Sequence, residues 1–216
     1  MLIINILAGG PEELLPDLMV YSNHETMWVG VDRGVFVLLS RGINPNIAFG
    51  DFDSVTDAEW NQINYSVDTL KKYKSEKDET DLELALNWAL EQNPSEIRMF
   101  GCTGGRLDHF LANMQMLVKP LNEQNESELY LIDKQNIIFI KGPGEHTIKN
   151  NSEIKYVSFL PFSMDVKNFS LNGFKYPLLN RHISVGSTLC ISNELISNYG
   201  TFSFSEGILI VVRSTD

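Results

Sequence analysis

The 216-residue chain is long enough to bury a substantial core, either as one large domain or as two modest ones. Its formal charge of −11 argues against nucleic acid as the main partner, because polyanion binding needs clustered Lys and Arg; small phosphorylated ligands stay open, especially with a divalent ion. The two cysteines, Cys102 and Cys190, stand far apart and without neighbours at metal-ligand spacing, which argues against structural zinc.

The first residues, Met1 to Leu7, carry no positive charge and run into Ala-Gly-Gly-Pro, so they read as a strand and turn and not as a signal peptide. No apolar run approaches membrane-spanning length, and a reducing cytoplasm is the expected compartment. From Leu2 to about Ile132, short apolar runs alternate with amphipathic stretches, the pattern of strand and helix units around a mainly parallel sheet. The expected strands are 2–8, 27–31, 46–49, 67–73, 97–101 and 128–132. Helices are expected over 11–21, 34–41, 57–65, 81–92 and 107–121. Thr56 to Glu59 and Thr80 to Glu83 both have capping-box spacing, which marks two helix starts. Leu82, Ala85, Leu86 and Ala89 form one apolar stripe, and Leu107, Phe110, Leu111, Met114, Leu117 and Val118 another.

Beyond about Asp133 the chain changes to short runs rich in β-branched and aromatic residues, punctuated by Gly, Pro and Asn. Strands are expected over 136–140, 155–161, 167–171, 188–192, 200–204 and 207–212. The expected fold is therefore an α/β N-terminal domain, residues 1–133, with a mainly parallel sheet flanked by helices, followed by an all-β sandwich C-terminal domain, residues 134–216.

The chemistry-bearing residues gather where strands end or helices begin. In Gly50-Asp-Phe-Asp-Ser54, an extended backbone would turn Asp51 and Asp53 to one side and Phe52 towards the core, and a convergent carboxylate pair suits magnesium. Asp and Ser are also ordinary turn and cap residues. Asp81 and Asp108 each lie in the first turn of an expected helix, so four acids fall at the edge where open parallel sheets bind ligands. Lys77 and Arg106 place cations beside them, either for a polyphosphate or for a structural ion pair. Gly104-Gly105 precedes a helix, where backbone N–H groups can face an anion or simply form a turn. Clustered acids, cations and glycine turns suit phosphoryl-type transfer. Neither a phosphate-loop motif nor a dinucleotide fingerprint is present, so these residues alone leave the donor open.

The ordered set Leu7-Ala-Gly-Gly-Pro11, Gly30-Val-Asp-Arg-Gly34, Gly50-Asp-Phe-Asp-Ser54, Glu76-Lys-Asp-Glu-Thr-Asp81 and Gly101-Cys-Thr-Gly-Gly-Arg-Leu-Asp-His109 closely resembles the thiamine pyrophosphokinase (thiamine diphosphokinase) family. Ser192-Asn-Glu194 extends the resemblance to the last part of the chain. It implies a catalytic domain binding ATP as co-substrate, a C-terminal domain that helps bind thiamine, and a homodimer with sites between subunits. The implied reaction is transfer of pyrophosphate from ATP to the thiamine hydroxyl, with Mg2+ held by Asp51, Asp53, Asp81 and Asp108, and Lys77 and Arg106 offsetting phosphate charge.

On the same resemblance Gly9, Gly10, Asp32, Arg33, Gly34, Thr80, Gly104, Gly105 and His109 would line the ATP site, and Ser192 and Asn193 would contact thiamine. His109 is also a candidate base, although a lone histidine at a helix start is more often structural. Two other readings stand beside this one: a nucleotide-sugar transferase, which also uses Asp-x-Asp, and a nucleotide- or thiamine-binding module without turnover.

Overall fold

The computed structural model describes residues 1–53, 55–67, 69–72 and 78–216. By internal contacts the chain divides into a first unit, Met1–Lys134, and a second, Gln135–Asp216.

The first unit is built on six parallel strands in the order β6-β5-β1-β2-β3-β4. These are β1 (Ile3–Leu7), β2 (Thr26–Val31), β3 (Ile47–Gly50), β4 (Leu70–Lys72), β5 (Glu96–Phe100) and β6 (Glu128–Ile132). The chain runs outward from β1 to β4 on one side, then returns to β5 and β6 on the other. The turns after β1 and β5 therefore flank the point where strand order reverses, which is where a crevice opens at the carboxyl edge of such a sheet. Ile4, Ile6 and Leu7 of the central strand are fully buried, as a strand covered on both faces requires.

Helices α1 (Arg33–Ser40), α2 (Asp57–Ser66), α3 (Asp81–Glu91) and α4 (Leu107–Met116) connect these strands, with a short α5 (Lys119–Asn122) before β6. The Thr56 box forms in full, Thr56 accepting from the Glu59 N–H while the Glu59 carboxylate accepts from the Thr56 N–H. At Thr80 only half of the box forms, because the Glu83 carboxylate pairs with Lys119 at 2.8 Å. Leu82, Ala85, Leu86 and Ala89 are buried as the stripe on α3 predicts.

Four expectations for this unit need correction. The helix expected over 11–21 is two 3-10 turns, Glu12–Leu14 and Leu18–Tyr21, because Pro16 forces Leu15 into extended backbone and removes a donor. The helix expected over 107–121 ends at Met116, since Pro120 has no N–H to return to that turn. Nor is its stripe wholly core: Leu107 and Leu111 are 72% and 61% exposed, whereas Asn113 is buried and donates to the Cys102 carbonyl at 3.0 Å. The strand expected over 67–73 narrows to β4, with Val67 capping α2 and Tyr73 outside the described residues.

The second unit has two antiparallel sheets. One has the order β12-β9-β14-β7 and the other β11-β10-β13-β8. The first contains β7 (Asn136–Lys141), β9 (Tyr156–Pro161), β12 (Asn193–Glu194) and β14 (Leu209–Ser214); the second contains β8 (Gly144–Lys149), β10 (Asp165–Asn172), β11 (Leu178–Ser184) and β13 (Tyr199–Phe204). Phe159 of β9 is buried against Phe169 of β10, Phe202 of β13 and the loop residue Phe174, with ring centroids 5.4, 5.1 and 5.5 Å away. This aromatic layer joins the two sheets as a sandwich.

The strand expected over 188–192 is instead a turn ending at Ser192, whose φ of +56° interrupts extended backbone. Strands β8 and β11 are additions to the expected set. Both lie on the edges of their sheet, where little of each strand is buried and apolar alternation is weak.

The Phe159 packing carries a direct test. Phe159→Ala should destabilise the second unit by about 3–5 kcal/mol and Phe159→Leu by about 1–1.5 kcal/mol, read as graded drops in urea midpoint.

Candidate active site

The carboxyl edge of the first sheet borders a cavity of about 800 Å³, lined by the turn after β1, the start of α1, the start of α3, the turn after β5 and the first two turns of α4. Parallel register sets the first acid. Val31 of β2 lies opposite Phe49 of β3, and Asp32, one residue beyond its strand, donates its N–H to the Phe49 carbonyl at 2.9 Å. Asp51 follows β3 in the same way. Asp81 arrives from the first turn of α3, where Thr80 accepts from the Glu83 N–H at 3.1 Å and fixes the helix start. One carboxylate oxygen from each of Asp32, Asp51 and Asp81 lies within 4.8 Å of the others.

Local backbone makes this convergence possible. Asp32 has φ +49° and ψ −124°, a conformation an L-residue adopts only under constraint, and one found at functional sites. A Cβ on Gly50 would stand 2.1 Å from the Asp32 Oδ1, so glycine is required there for the Asp32 side chain to reach the cluster. Likewise a Cβ on Gly34 would meet the Leu7 carbonyl oxygen at 2.1 Å, so α1 begins hard against the end of β1.

Asp53 and Asp108 stand outside this group. The expected convergence of Asp51 with Asp53 needs extended backbone, but Phe52 has φ +60°, and the Asp51 Oδ1 instead accepts the Asp53 N–H at 3.0 Å. Phe52 does turn inward, 5.1 Å from Trp60 between ring centroids. Asp108 is exposed and pairs bidentately with Arg106, at 3.2 Å to Nε and 2.6 Å to Nη2. That hydrogen bond holds the Asp108 carboxyl below its ordinary range and the Arg106 guanidinium above its own. Lys77 lies outside the described residues.

Gly9, Gly10, Arg33, Thr80, Gly104, Gly105 and His109 all line the same cavity, as does Asp32. Gly34 is buried behind it at the start of α1. The turns after β1 and β5 are tied together, Ala8 N–H to Phe100 O at 2.9 Å and Gly10 N–H to Gly101 O at 3.0 Å. Cys102, in the second of these turns, is fully buried and its thiol is pushed up to about 12, so it packs and does not react.

In the second unit, Ser192 is exposed and its N–H donates to Ser158 Oγ at 2.9 Å. Asn193 is buried and bridges backbone: its Oδ1 accepts from Tyr176 and Glu194, and its Nδ2 donates to the Tyr176 carbonyl at 2.9 Å.

Asp32 was read from sequence as a nucleotide contact and not as a member of the acidic cluster. The signal was present, since Asp32 follows an apolar strand as Asp51 does, but the spacing from 32 to 51 carries no information until β2 and β3 are known to be neighbours. Asn113, which pins the turn after β5 through the Cys102 carbonyl, carries no signal of that role in the sequence.

An oxygen-only donor set fits magnesium, which takes hard carboxylate ligands and commonly keeps several waters. Among the described residues no helix is long and apolar enough to cross a membrane.

The profile described as "Thiamin pyrophosphokinase, catalytic domain" matches residues 18–131, and "Thiamin pyrophosphokinase, vitamin B1 binding domain" matches residues 145–209. The chain is 54% identical to the thiamine pyrophosphokinase of Bacillus subtilis (strain 168) over 99% of both sequences. It superposes on the crystal structure of thiamine pyrophosphokinase from Bacillus subtilis with a TM-score of 0.94, covering 99% of both chains at 54% identity. For the thiamin pyrophosphokinase from Geobacillus thermodenitrificans the TM-score is 0.92 at 49% identity, covering 100% of this chain and 98% of that one. A catalytic-domain match over more than half of the sequence, with so similar a relative along nearly all of it, means that the chain belongs to the thiamin pyrophosphokinase family.

Proposed function

We propose that this chain is a thiamine diphosphokinase that transfers a pyrophosphoryl group from ATP to the thiamine hydroxyl, giving thiamine diphosphate and AMP. The observation that carries the reading is the convergence of Asp32, Asp51 and Asp81, with Asp32 and Asp81 lining a cavity shared with glycine turns and Arg106. Family membership supports the same substrates. The first unit is the ATP-binding catalytic domain and the second the thiamine-binding domain.

Asp32, Asp51 and Asp81 would hold magnesium, directly or through its waters. When bound, the ion supplies positive charge that offsets the polyphosphate. The chain's own residues then position the two substrates. Backbone N–H groups of Gly104 and Gly105, just before α4, suit phosphate oxygens. Arg106 exchanges the Asp108 carboxylate for phosphate in the same bidentate geometry, and Lys77 adds charge.

In the transfer, the thiamine oxygen bonds to the β-phosphorus and the bond from that phosphorus to the bridging oxygen breaks. AMP leaves with that oxygen, and the hydroxyl proton passes to solvent or a nearby base. Once Arg106 has moved to phosphate, the Asp108 carboxylate at the cavity is free to accept from the hydroxyl and orient it. His109 lines the cavity and is the remaining base candidate. Direct attack needs no covalent enzyme intermediate.

Exposed apolar side chains on the second unit, among them Leu179, Leu189, Ile196 and Tyr199, suit a homodimer surface, with Ser192 meeting thiamine and Asn193 shaping the loop behind it. Two buried free thiols suit a reducing cytoplasm.

Incubation with ATP, magnesium and thiamine should yield AMP and thiamine diphosphate in equal amounts, with no AMP when thiamine is omitted. Tight binding of both ligands without turnover would replace this reading with that of a binding module. Asp81→Asn should lower kcat by about a hundredfold or more and move the magnesium titration midpoint to higher concentration. Asp108→Asn should lower kcat with the magnesium midpoint in place; a shift there would return Asp108 to the metal ligands.

A further inference from the structure

Arg33 opens α1 directly after the strained Asp32 and lines the cavity, with its side chain 49% exposed. Two carboxylates from other elements bracket its guanidinium. Glu59 Oε1, from the first turn of α2, lies 3.5 Å from Nε, and Glu12 Oε1, from the 3-10 turn after β1, lies 3.9 Å from Nη2. The other oxygen of Glu12 faces Arg41 at 3.8 Å.

Glu59 differs from Glu12 in being fixed. Its side chain is only 14% exposed, and its second oxygen accepts from the Thr56 N–H at 2.8 Å and the Thr56 hydroxyl at 3.1 Å. Glu59 cannot swing away from Arg33 without undoing the start of α2.

Half-exposed ion pairs at such separations contribute little to stability. Their effect on a ligand can be larger, because an arginine already held in place loses less rotamer freedom on meeting a phosphate. At 3.5 and 3.9 Å the guanidinium also keeps N–H donors for an incoming anion.

We propose that Glu59 is a positioning residue that uses one oxygen to cap α2 and the other to hold Arg33 at the cavity rim, pre-set for the polyphosphate of the nucleotide. The inference rests on the reading above that Arg33 meets ATP.

The test compares Arg33→Ala, Glu59→Gln, the double variant and Thr56→Ala in the full chain. The readouts are KM for ATP at saturating thiamine, calorimetric binding of a non-hydrolysable ATP analogue, and thermal midpoint. Glutamine keeps a capping oxygen but not the charge. Glu59→Gln should therefore raise KM and the analogue Kd by roughly three- to tenfold, with kcat within about twofold and little change in midpoint. Arg33→Ala should raise them at least as much, and the double variant no further than Arg33→Ala alone. Thr56→Ala should lower the midpoint and leave KM in place.

If Arg33→Ala leaves KM unchanged, Arg33 does not meet ATP and the proposal falls with that reading. If Arg33→Ala raises KM while Glu59→Gln leaves it unchanged or lowers it, the nucleotide contact stands and the positioning role is wrong. Equal KM shifts in Glu59→Gln and Thr56→Ala, tracking midpoint loss, would reduce Glu59 to a helix cap. Should Glu59→Gln not fold, Glu59→Asp takes its place, keeping the charge but drawing it back from Arg33; an analogue Kd unchanged there would overturn the positioning role.

Discussion

Three carboxylates, from Asp32, Asp51 and Asp81, converge at the carboxyl edge of the first sheet, where like charges oppose one another. Two unit charges about 4 Å apart repel by about 4 kcal/mol at the effective dielectric of a protein surface. The backbone imposes the arrangement. Neighbouring parallel strands lie about 4.8 Å apart, and the register that pairs Val31 with Phe49 brings Asp32 opposite Gly50, one residue short of Asp51. Gly50 removes the side chain that would block Asp32, and the strained backbone of Asp32 aims its carboxylate inward. The capped start of α3 then adds Asp81 from a third element.

The rest of the first unit follows from keeping that edge open and rigid. The turns after β1 and β5 lie on either side of the reversal in strand order and are joined by backbone hydrogen bonds, so glycine-rich main chain forms part of the cavity wall. Asn113 reaches from the second turn of α4 to the Cys102 carbonyl and ties the glycine turn to the helix it precedes. Buried polar side chains of this kind contribute specificity of position as much as stability. In the second unit the equivalent constraint is aromatic: four phenylalanines close the space between the two sheets.

Much of this was legible before any coordinates. The alternation of apolar runs and capped helices specified a parallel sheet, because each run is too short for a helix and each connection is long enough for one. The stripe of Leu82, Ala85, Leu86 and Ala89 reported its buried face correctly, since periodicity is a local property. The stripe on α4 did not. Leu107 and Leu111 repeat with helical spacing, yet which face turns inward is decided by the Asn113 bond and by what packs there. Edge strands β8 and β11 escaped notice for a related reason: with so few buried positions they lack the alternation that marks a strand.

By itself, the sequence determined the fold class, the Thr56 and Thr80 helix starts, and a set of acids, glycines and an arginine at the ends of strands and the starts of helices. These are consequences of residues a few positions apart, which the chain must satisfy locally. Only the tertiary structure decided which acids meet. Asp51 and Asp53, two residues apart, are separated by the turn at Phe52, whereas Asp32, Asp51 and Asp81, distant in sequence, come within 4.8 Å of one another. Convergence depends on strand order and register, and those are fixed by the packing of the whole sheet.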